Sequence, residues 1–308
     1  MGNASGPIVS NRLIAVKIVE CGRHANRNEY RPNTGIGLWI QIQMSSRIVS
    51  LHCHVILTSM SIKRDFSYSN YGSLPFQESA ILFPFGRRSF LPAMVKRFNG
   101  EPIAMGENTD REAYTLRING SCITLIYSGM GSPVTANALE KAAANGVRRL
   151  VLFGACGGTV EQVQVGDLIV PSGAVRGEGT SRYYMPSSFP AVPDVELSFR
   201  LLASARNRTG TNVHQGFVYT TDASYRQGPE VYGQHEGAVI GVDCECSAAF
   251  VVASALGLRA AAIFFCTDNI LSKDRANRSR QGLENETVRR SFEAAAETAV
   301  EVLMELSD

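Results

Sequence analysis

The chain has almost no charge imbalance: 30 Lys and Arg stand against 28 Asp and Glu, a formal net charge of +2. So even a balance leaves no electrostatic footprint for DNA, RNA or an anionic membrane, and neither is expected as a partner. No apolar run approaches the ~20 residues that a membrane span needs. The N-terminus lacks a basic region followed by an apolar stretch and a small-residue cleavage site. Seven cysteines (Cys21, Cys53, Cys122, Cys156, Cys244, Cys246, Cys266) are scattered and odd in number, with no C-x-x-C pair. That pattern indicates neither a disulfide framework nor a zinc ribbon, and a reducing cytoplasm fits it best. Histidine is scarce too. Three of the five lie in the first 76 residues, two of them in Leu51-His52-Cys53-His54. Without a carboxylate or third histidine nearby this reads as an incidental pair, so no metal is expected.

With 308 residues and 44% hydrophobic content, the chain can bury one large α/β core or two small ones. Residues 1–76 mix short apolar bursts with Arg, Asn and Ser and show no sustained periodicity, so they read as an extension outside the main domain. From Ser79 onward, β-rich apolar runs alternate with helical patterns, the signature of an α/β domain spanning 77–308. Strands are expected at 80–83, 121–127, 149–153, 167–170, 214–219, 238–242 and 260–266. Helices are expected at 133–145, with Ser132 as N-cap and Pro133 in first position, at 246–256, and at 285–306. In the last of these, Val288, Phe292, Ala295, Ala299, Val302 and Leu306 form one core-facing stripe.

Four stretches can carry chemistry. Ser121 to Ser132 ends in Ser128-Gly129-Met130-Gly131-Ser132 before Pro133, a strand, a glycine turn and a helix start. Such a turn offers backbone N–H groups to an anion, or simply reverses a strand into a helix. Leu150 to Gly158 makes a second strand-to-glycine junction, so two glycine turns are expected side by side at the carboxyl edge of one sheet. In Val242-Asp243-Cys244-Glu245-Cys246 two acids alternate where a strand meets a helix. Helix capping accounts for one of them; the other must satisfy its oxygens elsewhere, and sugar hydroxyls are one such use. Phe264 to Asn269 places Asp268 at the tip of a buried strand. It is either a turn aspartate or an acid whose pKa burial raises enough for general acid catalysis.

Taken in order, these stretches resemble the nucleoside phosphorylase superfamily, which contains purine nucleoside phosphorylase and uridine phosphorylase. The segments 175–181 (Val-Arg-Gly-Glu-Gly-Thr-Ser) and 188–194 (Ser-Phe-Pro-Ala-Val-Pro-Asp) extend the resemblance, which covers residues 80–305. It implies a single α/β domain with a central mixed, twisted sheet flanked by helices, and cleavage of a nucleoside's N-glycosidic bond with inorganic phosphate as co-substrate and no other cofactor. It implies that Glu245 holds the ribose 2′ and 3′ hydroxyls, with Met130 and Cys244 against the sugar. It also implies that Asp268, assisted by Arg280 or its rival Arg278, protonates the purine N7. Arg88, Arg111, Gly131 and Ser132 correspond to phosphate ligands, Arg111 being lent by a neighbouring subunit of a dimer-based homo-oligomer, up to a hexamer. Gly157 and Tyr225 fall on the base side.

The departures are equally specific. Leu152 and Ala155 stand where the family has a phosphate-binding Arg and a Ser or Thr, and Pro84 replaces a loop glycine. Cys244 replaces a methionine, and no histidine occurs between Ser67 and Ala80. Each lost charged hydrogen bond is worth about 1.5–3 kcal/mol, so the missing arginine alone weakens phosphate roughly ten- to a hundredfold. Relatives that use water in place of phosphate would suit such a site, as would a catalytically silent nucleoside binder. Gly228 and Glu230 stand where uridine-specific members read the uracil edge with Gln and Arg, which with Asp268 favours a purine.

Overall fold

The computed structural model describes residues 74–105, 112–208, 210–226, 235, 237–271 and 282–306, with the backbone of three strands between 16 and 53. The chain divides into two compact units, Met1–Asn70 and Tyr71–Asp308. In the first unit β1 (Val16–Glu20), β2 (Leu38–Met44) and β3 (Arg47–Cys53) form an antiparallel sheet in the order β1-β2-β3. Strands were not expected here. The alternation of Ile40, Ile42 and Met44 with Gln41 and Gln43 is a period-two signal that the polar residues around it obscure.

The second unit is a nine-stranded mixed sheet covered by helices on both faces, the architecture expected from the sequence. Its strands are β4 (Ser79–Phe83), β5 (Gly100–Ile103), β6 (Glu112–Ile118), β7 (Ser121–Tyr127), β8 (Arg149–Gly158), β9 (Leu168–Gly177), β10 (Val213–Thr221), β11 (Val239–Asp243) and β12 (Arg259–Asn269). They lie in the order β11-β10-β9-β12-β8-β4-β7-β6-β5. Antiparallel pairing of Gly241 with Gly158 and Val242 with Gly157 joins β11 back to β8, so β8, β12, β9, β10 and β11 close into a ring.

Period-two alternation sorts the buried side chains. Leu150 and Leu152 of β8 and Ala262 and Phe264 of β12 face α2 (Ser132–Ala144) and α4 (Cys246–Leu256). Val151, Phe153, Ile263 and Phe265 face α1 (Phe90–Arg97), α3 (Val195–Arg206) and α5 (Glu286–Glu305). Under α5 the rings of Phe83, Phe153, Phe265 and Phe292 pack with centroids 5.2–6.5 Å apart, offset and tilted as aromatic quadrupoles prefer.

Several local expectations need correction. Residues 154–158 are no turn: β8 runs through them and pairs with β12 to Gly158, because the partner strand supplies ladder hydrogen bonds that glycine propensity ignores. Ser132 is not the N-cap of α2. Gly131 is, at φ 112°, with Ser132 already helical. Asp268 lies inside β12, next to a register shift between Cys266 and Asp268, and not in a turn. The sequence reading also lacked α1, α3, β5 and β6. Their signals are short, although Asp194 capping Leu197 N at 2.9 Å marks the start of α3.

Candidate active site

The carboxyl ends of β4, β8, β11 and β12 and the β7–α2 turn surround one cavity. β8 contributes Ala155, Cys156 and Gly157, and β12 contributes Thr267 and Asp268. The β11–α4 junction adds Val242, Asp243, Cys244 and Glu245; Met130, Pro84 and Phe85 complete the lining. Parallel strands entering helices place these junctions at one sheet edge, which explains why residues more than a hundred positions apart meet. Of the residues expected in the site, Glu245, Cys244, Met130, Asp268 and Gly157 are brought together.

The two alternating acids divide their work. Asp243, 4% exposed, accepts hydrogen bonds from the Glu245 amide (2.9 Å), the Cys246 amide and the Thr220 hydroxyl (2.7 Å). It therefore satisfies the opening amides of α4, the capping job expected of one carboxylate. Glu245, also 4% exposed, turns the other way and accepts the Gly131 amide at 2.6 Å. That bond requires the positive φ of Gly131, a backbone conformation that β-carbon sterics make costly for other residues. Burial, then the charge of Asp243, push the Glu245 carboxyl up, and burial pushes Asp243 up against its three donors.

Asp268 is placed by neighbours on β12 and β8. The Thr267 hydroxyl lies 3.3 Å from its Oδ1 and equally far from the Cys156 carbonyl. Gly157 clears room for it: a β-carbon there would sit 3.2 Å from Asp268 Oδ1 and 3.3 Å from Val242 Cγ1. Beyond it, Asn269 Nδ2 donates to the carbonyls of Val160 and Val163 at 2.8 and 2.7 Å, pinning the end of β12. The cavity thiol of Cys244 is pushed up by burial and by the neighbouring acids, which leaves it a neutral and poor nucleophile.

Other expected residues do not reach the cavity. Gly131 spends its amide on Glu245, and the Ser132 hydroxyl donates to the Cys244 carbonyl at 2.8 Å. Neither group is left for phosphate, because the start of α2 is tied to the start of α4. Arg88 is exposed in the turn after β4 and is not in the lining, while Arg87 beside it pairs with Glu112 at 2.6 Å. Tyr225 is wholly exposed in a short 3-10 turn and also lies outside the lining. Ala155 presents only a methyl group, and Leu152 is fully buried against α2 and α4. Arg111, Arg278, Arg280, Gly228 and Glu230 lie outside the described residues. Thr220 and Thr267 were missed altogether, since a lone threonine at a strand end carries no sequence signal until its partners are known.

Among the described residues no helix is long and apolar enough to cross a membrane. The chain is 29% identical to the guanosine phosphorylase of Halorubrum lacusprofundi over 54% of its own length and 70% of that protein's. It is 29% identical to the uridine phosphorylase of Escherichia coli over 46% of its length, spanning 54% of that relative. The crystal structure of a Vibrio fischeri uridine phosphorylase superposes with a TM-score of 0.65 at 26% identity, covering 75% of this chain and 93% of that one. The family model described as the phosphorylase superfamily matches residues 93–307. That match takes in the β7–α2 turn, all of β8, the β11–α4 junction and the end of β12, and the chain belongs to the phosphorylase superfamily.

Proposed function

We propose that this chain cleaves the N-glycosidic bond of a nucleoside, a purine nucleoside in preference to uridine, by phosphorolysis to free base and ribose 1-phosphate. The observation that carries the reading is the convergence of Glu245, at the β11–α4 junction, and Asp268, on β12, on one cavity. The ribose hydroxyls donate to Glu245, an interaction that strengthens as the sugar gains oxocarbenium character. Asp268 gives a proton to the purine N7 as the C1′–N9 bond breaks, so the bonding pair leaves on a neutral base. Phosphate oxygen then bonds to C1′. The names of the relatives, guanosine and uridine phosphorylases, support phosphate as acceptor; Arg88 and Arg111 remain the basic residues proposed to serve it, and Arg280 the one proposed to assist the proton transfer from Asp268.

A second reading, hydrolysis with water as acceptor, is favoured by the cavity's chemistry. Its described lining holds three carboxylates and no cation, and the positions of two expected phosphate ligands are Leu152 and Ala155. We further propose that the protein works in the cytoplasm as a dimer-based homo-oligomer. Incubation with inosine, adenosine, guanosine and uridine, with and without phosphate, followed by chromatography of free base, tests the cleavage readings, and light scattering on the purified protein tests the oligomer. Purine release that requires phosphate is expected. Release without phosphate selects hydrolysis, and no release with measurable binding makes the chain a silent binder.

A further inference from the structure

The two buried acids on one wall of the cavity are unequally served. Asp243 accepts three hydrogen bonds, and the Thr220 hydroxyl among them is committed, because its oxygen already accepts the Ser247 amide at 2.9 Å. Ser247 Oγ in turn donates to Glu178 Oε1 at 3.2 Å, and Glu178 accepts the amide of Ser181 at 2.9 Å. A polar chain therefore runs from the end of β9 through the end of β10 to the start of α4. Glu245, at the end of that chain, accepts from the backbone amides of Gly131 and Cys244, with no side-chain donor among the described residues. Donors favour the ionised form of a carboxyl group, and two carboxylates in one dry site resist ionising together. Negative charge accordingly settles on Asp243 first, and the proton stays on Glu245.

We propose that Asp243 is a positioning residue for sugar recognition: it anchors the backbone that carries Glu245, and its charge sets the pH at which Glu245 becomes an anionic acceptor for a ribose diol. The proposal rests on the nucleoside reading above. The other titratable groups facing this pair are Cys156 of β8, Glu178 after β9, Asp222 after β10, Asp268 of β12, and Cys244 and Cys246 beside them. The Cys244 and Cys246 thiols are pushed up by burial, and that of Cys156 by its hydrogen bond with Cys266 and by burial, so all three stay neutral where the acids titrate. Among the described lining residues no cation offsets the charge of Asp243.

Because the carboxyl of Glu245 is held up, diol binding must strengthen as pH rises through its ionisation. The test is calorimetric binding of 9-deazainosine, a nucleoside with an uncleavable C–C glycosidic bond, from pH 5.5 to 9.5, alongside its 2′,3′-dideoxy analogue. The wild-type protein is expected to gain affinity for the diol with rising pH, and the analogue to show no such gain. Asp243→Asn is expected to move that midpoint down by about one pH unit or more, the size of a near charge removed. Asp243→Glu, which keeps the charge, is expected to leave the midpoint in place while weakening binding. A midpoint unmoved in Asp243→Asn, with affinity lowered evenly at all pH values, overturns the proposal and leaves a purely structural bracket. If Asp243→Asn does not fold, carbon-13 NMR titration of the wild-type carboxyl groups decides: Asp243 must ionise at lower pH than Glu245, and the reverse order overturns the proposal equally. A wild-type protein that binds neither ligand at any pH defeats the nucleoside reading itself, whereas diol-dependent binding with no pH dependence defeats only the role of Asp243.

Discussion

Gly157→Ala probes how closely the cavity is built around its acid. The backbone of Gly157 is not in the positive-φ region, so alanine is tolerated conformationally. Its β-carbon, however, would meet Asp268 Oδ1 at 3.2 Å and Val242 Cγ1 at 3.3 Å, contacts that force both neighbours back by a few tenths of an ångström. Overpacking of this kind costs about 1 kcal/mol of stability. If Asp268 delivers the proton as proposed, the larger effect falls on that delivery. Removing a general acid costs roughly 10²–10⁴ in rate, and since a displacement of about 1 Å costs on the order of 10², a shift of a few tenths should lower inosine turnover roughly three- to tenfold. The assay compares inosine with 4-nitrophenyl β-D-riboside, whose leaving group departs without protonation. Inosine is expected to slow while the nitrophenyl riboside hardly changes, with Asp268→Asn as the extreme case of the same pattern. Equal slowing of both substrates would refute the reasoning, since the damage would then lie in the cavity's shape and not in the acid's position.

Four further outcomes are expected. Glu245→Gln, measured near pH 9 where the Glu245 carboxyl, pushed up to about 8, is ionised, should weaken nucleoside binding about ten- to a hundredfold through loss of a charged acceptor, read as KM or by calorimetry, with the thermal midpoint little changed. Tyr225→Ala should leave kcat/KM within about twofold of wild type, because the ring is wholly exposed outside the cavity. Phe153→Ala should cost about 3–5 kcal/mol in denaturant unfolding by opening a hole among Phe83, Phe265 and Phe292. The carboxyl of Asp194 is held low by its hydrogen bonds with Arg259 and with the Leu197 amide. A depressed folded-state pKa contributes stability above the unfolded value of about 3.9, lost as pH falls through the folded one. Asp194→Ala should therefore cost about 1 kcal/mol at pH 7, as loss of an N-cap does, a cost that shrinks progressively as pH falls below about 3.9.

The sequence was legible where a pattern is local. The continuous apolar runs of β4, β7, β8 and β12 marked strands buried on both faces of the sheet, and the stripe of α5 marked a core helix, because burial on one face imposes its period on the chain. Element ends were less legible. Gly154 to Gly158 read as a turn because glycine is judged by its own freedom, whereas β12 on one side and β11 on the other hold those residues in a ladder.

For the site, the chain by itself marked the acids. Asp243, Glu245 and Asp268 announce themselves as carboxylates beside apolar strands, where their oxygens must find partners. Only the tertiary structure decided which acid does what. Thr220, from another strand, completes the bracket on Asp243, while the Gly131 amide, supplied by a turn 114 residues earlier, aims Glu245 into the cavity. The same folding consumed Gly131 and Ser132, which sequence alone left available to phosphate, and it left Arg88 and Tyr225 on the surface. Residue type sets what a group can donate or accept; the distance and direction of its partner, which depend on how distant segments pack, set what it actually does.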